Sequence, residues 1–279
     1  MQYTLPSPMT VLEALRTIYP DSSRRTLQTW LKNGRFFVDG RALQKEGDLL
    51  DLGQTIHAKE TFRAPKVPGL KILYEDRWII VIDKPTGLLS VPLDDTFAKR
   101  NALNLLRQYY GSDQIFAVHR IDRETSGILL FARGKESEQH FDALFERHDI
   151  LREYLTIVEG RVEQQTGTWQ SNLLELPSLQ VIDSPDGKEA ITHFSVIRKS
   201  AKYSYLRLRL ETGRKHQIRV HCQMAGHPVL GDFRYGAKED PLKRLCLHAA
   251  TLGFKHPFTH KSIQFSSPVP PIFKRLGAF

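Results

Sequence analysis

Near the start of the chain, Val11, Leu12, Leu15 and Ile18 recur at helical spacing, and Tyr19-Pro20 closes the segment, because a residue before proline is pushed out of the helical region. Asp21, Ser22 and Ser23 offer caps for a second helix. Its Leu27, Trp30 and Leu31 share one face, while Arg24, Arg25 and Lys32 lie elsewhere, and Asn33-Gly34 ends it. Residues 35–43 then read as strand, Asp-Gly turn, strand, and residues 48–56 add one more short strand. Residues 61–69 hold two prolines and a terminal glycine without periodicity, which reads as a linker.

Beyond residue 70 the texture changes. Strand patterns fall at 70–74, 78–83, 127–132, 152–159, 191–198, 203–211, 247–254 and 261–265, with helix patterns only at 102–109, 135–146 and 215–225. The fold class expected is α+β: a main domain with a largely antiparallel mixed sheet flanked by helices and loops, plus a small N-terminal α/β domain. The division expected is 1–60, a linker at 61–69, and 70–279. In residues 203–211, Tyr203, Tyr205, Arg207 and Arg209 alternate with Leu206, Leu208 and Leu210. One face should pack the core, and the other should be basic and aromatic.

The composition narrows the partner. Of the 279 residues, 40 are Lys or Arg against 31 Asp or Glu, a net charge of +9 that favours an anionic partner, with nucleic acid first. No run of 18 apolar residues suggests a membrane span, and the start lacks the basic and apolar regions of a secretory leader. Two cysteines, Cys222 and Cys246, cannot build a disulfide framework or a four-thiolate zinc site, so a cytoplasmic location is expected. The histidines show no metal-ligand spacing, and there is no phosphate-binding P-loop, nucleophile elbow or dinucleotide fingerprint. The expectation is therefore no metal and no cofactor.

Two runs remain. His119 to Arg133, HRIDRETSGILLFAR, places Asp122 between Arg120 and Arg123, ahead of a small polar turn and a buried strand pattern at 128–131. A carboxylate flanked by cations on a loop entering the core suits a reactive group facing a polyanion; the same spacing also suits a solvated acidic loop with local salt bridges. The second run, ETGRKHQIRVH from Glu211 to His221, leaves the alternating strand and enters a helix, whose N-terminus is a place for anions. Arg214 and Arg219 are five apart and diverge on a helix; one serves RNA or solvent, while an inward one needs an acid, for which Asp122 is the natural mate.

These runs carry a resemblance. EDRWIIVIDKPTGLLSVP (75–92), the Asp122 run, TGRKHQIRVH with AGHPVLGDFRYG (225–236), and LHAATLGFKHP (247–257) together closely resemble the RluA-type pseudouridine synthases over residues 70–268. SRRTLQTWLKNGRFFVDG is similar to the RNA-binding domain first described in ribosomal small-subunit protein four. The resemblance implies an isomerase of RNA uridines that needs no cofactor. It implies large-subunit ribosomal RNA as substrate, with transfer RNA the alternative, and a monomer. It assigns Asp122 as the essential aspartate, Arg219 as its ion-pair partner and Tyr154 as the ring stacking on the target base. Arg120 helps displace the nucleotide, and Ile218 and Leu247 line the base pocket. Arg123, Arg214 and His216 join the substrate-binding set, and Arg24, Arg25, Lys32 and Arg35 the RNA-binding set of the N-terminal domain. Ile121 and Lys215 depart from the commoner leucine and threonine or serine without removing a reactive group. A non-catalytic RNA-binding protein on this fold would lack the acid, arginine or tyrosine, and all three are present. A glycosylase would release free uracil.

Overall fold

The computed structural model describes residues 2–20, 22–32, 34–58, 66–92 and 100–276. The expected cap Asp21, the helix-ending Asn33 and residues 61–65 of the expected linker lie outside them. The chain divides into two compact units: Met1–Ile82 with Val91–Val118 and Leu130–Gln139, and Asp83–Ser90 with His119–Leu129 and His140–Phe279.

In the first unit, β1 (Gln2–Thr4) and β2 (Met9–Thr10) precede α1 (Val11–Ile18). Thr10 caps α1 through a reciprocal box with Glu13, which satisfies two helix-end donors. The second helix, α2 (Arg24–Lys32), buries Leu27, Trp30 and Leu31 as its pattern predicts. β3 (Phe36–Val38) and β4 (Arg41–Ala42) turn through Asp39 and Gly40, both at positive φ (51° and 76°), which the Asp-Gly pair tolerates. The single strand expected at 48–56 is in fact two, β5 (Leu49–Leu50) and β6 (Thr55–Ala58), separated by a tight turn. β6 pairs with β1 and β3, and β5 with β2. The end of the expected linker is also structured: β7 (Lys66–Val67) turns at Gly69 (φ 81°) into β8 (Leu70–Glu75).

β9 (Ile79–Lys84), α3 (Ala102–Tyr110), β10 (Ile115–Ala117), β11 (Ser126–Arg133) and α4 (Lys135–Glu146) follow. Within this unit the strands lie in the order β11-β9-β8-β7, with β10 antiparallel to β11. Glu75 is buried at the end of β8, where it accepts from Trp30 Nε1 (2.6 Å) and from the Tyr110 hydroxyl, with Arg35 and Arg133 beside it at 3.7 and 3.9 Å. Arg35, expected on the RNA-facing surface, instead stacks 4.0 Å over Trp30 and serves this buried carboxylate.

In the second unit the sheet is mostly antiparallel. It is built from β12 (Leu151–Glu159), β13 (Thr166–Glu175), β14 (Val181–Asp183), β15 (Lys188–Lys199), β16 (Tyr203–Leu210), β17 (Leu247–Lys255) and β18 (Ser262–Ser266). The order is β14-β13-β15-β16-β12-β17, with β18 also on β17 and the start of β11 parallel to β17. Helix α5 (Gln217–Met224) buries Ile218, Val220 and Cys222, and Ile218 and Cys222 join the core formed by β12, β15 and β16. β13 is absent from the expected strands: its side chains are mostly exposed or half-buried, so its hydrophobic signal is weak. On β16, Arg207 and Arg209 are exposed as expected, but Tyr205 is 1% exposed and donates its hydroxyl to Leu276 O, so the outer face is basic rather than aromatic.

Candidate active site

Asp122 sits on the loop that leads into β11, and a second loop, residues 84–90, holds its backbone. Lys84, fully buried, directs its three N–H donors at the carbonyls of Pro85 (3.1 Å), Leu88 (2.7 Å) and Arg123 (3.1 Å). Thr86 Oγ1 donates to Glu124 O (2.6 Å), and Gly87 N–H to Arg123 O (2.8 Å). Ser90 Oγ donates to Ile121 O (2.7 Å) and accepts from Ile121 N–H (3.2 Å). Burial pulls the Lys84 ammonium down to about 7, against the charges of Asp122 and Glu124. The three carbonyl acceptors match the charged form, because a neutral amine has only two hydrogens to give.

The other end of the loop is pinned by β17. Ser126 Oγ lies 2.9 Å from His248 Nδ1 and accepts from Arg244 Nη2 (2.8 Å). Gly127 has φ 113°, and a Cβ there would stand 2.1 Å from Ala249 O. Only glycine admits this conformation and this approach of two strands.

Arg219, on α5, meets Asp122 as expected: Nη1 donates to Asp122 Oδ2 at 3.3 Å. The stronger partner is Asp232, which accepts from Nε (2.6 Å) and Nη2 (2.8 Å) in a forked pair. Burial disfavours the Arg219 cation, but Asp232's hydrogen bonds and charge, with Asp122's charge, outweigh it and raise its pKa. Asp232 is 3% exposed and fully engaged, whereas the Asp122 side chain is 24% exposed. Of the two carboxylates on this guanidinium, only Asp122 is open to a reactant. Asp232 lies inside the 225–236 motif, but nothing local marks it as a partner for a residue 13 positions earlier.

His216, the residue before α5, takes the left-handed conformation (φ 53°) and aims its ring inward. Its Nδ1 lies 2.7 Å from the Tyr235 hydroxyl, which already accepts from Val181 N–H (3.1 Å). On the other side of the ring, Nε2 lies 3.9 Å from Asp122 Oδ2. Burial lowers the His216 pKa despite the pull of Asp122, so the ring is neutral near pH 7. Tyr235 also lies 4.9 Å beneath the Arg219 guanidinium.

Tyr154 comes from β12 at a β-bulge: Glu153 pairs with Thr251 but Tyr154 with Ala249. The extra residue of the bulge is Ala250, on β17 opposite Tyr154. The Tyr154 ring packs on the core cluster that contains Ile218 and Leu247. Burial pushes its phenol up to about 12, with Arg152 opposing and Asp122 reinforcing, so it stays protonated. Arg152, two residues earlier on the strand, is 8% exposed and donates Nη2 to Glu211 O (2.7 Å).

The remaining candidates scatter. Arg120 is exposed beside Asp122. Arg123 turns out to pair with Glu124 (2.8 Å), and its carbonyl rather than its guanidinium serves the loop. Arg214 donates Nε to Glu189 O (2.9 Å). The first turn of α5 is occupied by Gln217, whose Oε1 accepts from Arg214 N–H and Thr212 Oγ1. In the N-terminal segment Arg24 is tied to Glu46 (2.5 Å), whereas Arg25 and Lys32 are exposed.

A family model described as RNA pseudouridylate synthase matches residues 78–224. The chain is 34% identical over 289 residues to the ribosomal large subunit pseudouridine synthase D of Xanthomonas campestris, covering 94% of this chain and 86% of that protein. It is 35% identical over 238 residues to the uncharacterized RNA pseudouridine synthase YjbO of Bacillus subtilis, covering 83% of this chain and 84% of that one. The solved structure of human RNA pseudouridylate synthase domain containing 1 shares the fold, with a TM-score of 0.63 at 24% identity over 77% of this chain and 89% of that chain.

Proposed function

The chain belongs to the RNA pseudouridylate synthase family, and from that premise we propose that Asp122 is the reacting carboxylate of an isomerase acting on large-subunit ribosomal RNA. One observation carries the assignment of the acid: Arg219 holds two carboxylates, and only Asp122 is accessible. The ribosomal substrate is supported by the named function of relatives that match nearly the whole chain.

The conversion breaks the bond between uracil N1 and the ribose C1′, turns the base, and joins C5 to C1′; the C5 proton leaves and N1 gains one. Atoms and electrons balance without an external reagent. The chain must supply an anion at the sugar, a surface to hold the loose base, and a means of unstacking the nucleotide. Asp122, aimed by Arg219 and by the Lys84 cradle, is the anion, and it acts either by adding at C1′ or by removing the C2′ proton. Tyr154, protonated and packed on the core cluster that holds Ile218 and Leu247, stacks on the base without competing as a nucleophile. His216 stands with Nε2 3.9 Å from Asp122 Oδ2, and exposed Arg120 meets the displaced strand.

Residues 1–60 act as the RNA-binding domain, presenting Arg25 and Lys32 on α2, ahead of the catalytic part at 70–279. The protein works as a monomer in the cytoplasm, where two unpaired, buried cysteines suit a reducing environment. No helix among the described residues is long and apolar enough to cross a membrane.

The test is Asp122→Asn. Release of tritium from C5-labelled uridine in an unmodified large-subunit transcript should vanish, while RNA affinity stays within about threefold of the parent, since the substitution keeps the side chain's shape and removes a group assigned to the chemical step and not to holding the strand. Normal release by the purified variant would remove Asp122 from the reaction.

A further inference from the structure

The short turn after Asp232 contains one side chain that neither the fold nor the reaction accounts for. Asp232 is 3% exposed on Arg219, and Tyr235 is fully buried beneath His216 and Arg219. Between them Phe233 is 64% exposed, and Arg234 beside it is exposed too. A lone exposed phenylalanine is ordinary on a protein surface; its place is what matters here. Phe233 is the residue next to Asp232, Asp232 grips Arg219 at 2.6 and 2.8 Å, and Arg219 touches Asp122 at 3.3 Å. The turn therefore borders the reacting centre through Asp232 on Arg219 and Tyr235 on His216, and Phe233 is its exposed ring.

The turn is rigid. Asp232 N–H donates to Val229 O (2.9 Å), and Asp232 O accepts from Tyr235 N–H (3.0 Å) and Ala237 N–H (3.1 Å). An aromatic ring on a fixed turn loses little freedom on binding. Arg234 reaches Ser178 O at only 3.4 Å, a weak tie, and its charge bears on the His216 ring. The substrate is a strand of RNA, so nucleotides on either side of the extruded uridine must pass over this turn, and the unstacked neighbours have π-faces to cover.

We propose that Phe233 is a stacking platform for a base flanking the target uridine, with Arg234 holding that nucleotide's phosphate. This rests on the Asp122 centre being the uridine site.

The experiment compares Phe233→Ala, Phe233→Leu and Phe233→Trp in the full chain, using the same C5-tritiated large-subunit transcript, with Asp122→Asn as control. Stacking of one base on an aromatic ring is worth ~1–3 kcal/mol, about 5- to 150-fold. Phe233→Ala and Phe233→Leu should therefore raise KM within that range with kcat within about twofold, and Phe233→Trp should keep the parental KM. In an Asp122→Asn background, Phe233→Trp should add tryptophan fluorescence that RNA quenches. An unchanged KM in the alanine variant overturns the proposal. So does a loss confined to kcat, which would make Phe233 a support for Asp232, and so does full rescue by leucine, which would require bulk and not a ring. If Asp122→Asn still releases tritium, the reading of the centre has failed, and that failure is distinct from any of these.

Discussion

Replacing Asp232 by asparagine tests whether the reacting centre is organised as described. The substitution keeps the shape and one acceptor, but it removes the charge and the fork. Arg219, 6% exposed, loses one of two short hydrogen bonds and keeps as its nearest anion only Asp122 at 3.3 Å. A hydrogen bond to a charged group is worth roughly 1.5–3 kcal/mol, and breaking a buried ion pair costs about 3–5 kcal/mol. Because Asn retains an acceptor and Asp122 remains, a loss of about 3 kcal/mol is expected, at the low end of that range. For a protein of this size that lowers Tm by roughly 6–12 °C. The guanidinium should also swing onto Asp122 and occupy the oxygens needed at the sugar. A misplacement of about 1 Å costs on the order of 100-fold in rate, so single-turnover tritium release should slow by that order. Adding Arg219→Met removes the uncompensated cation: Tm should recover relative to Asp232→Asn alone, while activity stays abolished. A single variant whose Tm lies within about 2 °C of the parent and whose rate lies within about threefold would refute the reasoning.

Three further outcomes are expected. Gly127→Ala should abolish folding or activity, because its Cβ would lie 2.1 Å from Ala249 O at φ 113°; soluble expression with parental Tm would count against the close strand approach. His221 is 1% exposed between Ser171 and Thr192, and burial lowers its pKa from 6.5 to about 4, so the unfolded chain binds more protons than the folded one between those values. Stability should therefore fall by about 3 kcal/mol as pH drops from 6.5 to 4, and the fall should be shallower in His221→Gln by thermal melts across that window. Arg25→Ala with Lys32→Ala should weaken RNA binding and flatten the dependence of log Kd on log salt by roughly 1 for each phosphate no longer neutralised, with kcat at saturation unchanged; an identical salt slope would exclude α2 from the RNA surface.

Much of the chain follows from local pattern alone. The limits of α1, the face of α2, the Asp-Gly hairpin, α4 and the strands at 127–132 and 152–159 rest on periodicity and turn chemistry, which act within a few residues, and the structure reproduces them within a residue or two. Asp122 and Arg219 were legible as candidates because each lies in a dense motif, and Tyr154 only through the family resemblance. What local pattern could not supply are interactions between residues far apart in the chain. Asp232 as the main holder of Arg219, the Lys84 cradle under Arg123, the bulge of β17 opposite Tyr154, and Arg35 drawn from the surface to Glu75 all depend on the folded backbone. β13 stayed hidden because a half-exposed strand carries little hydrophobic signal. The exposure of Asp122 beside a fully engaged Asp232 likewise exists only once both reach the same guanidinium, because desolvation and hydrogen-bond geometry are properties of neighbours in space and not of neighbours along the chain.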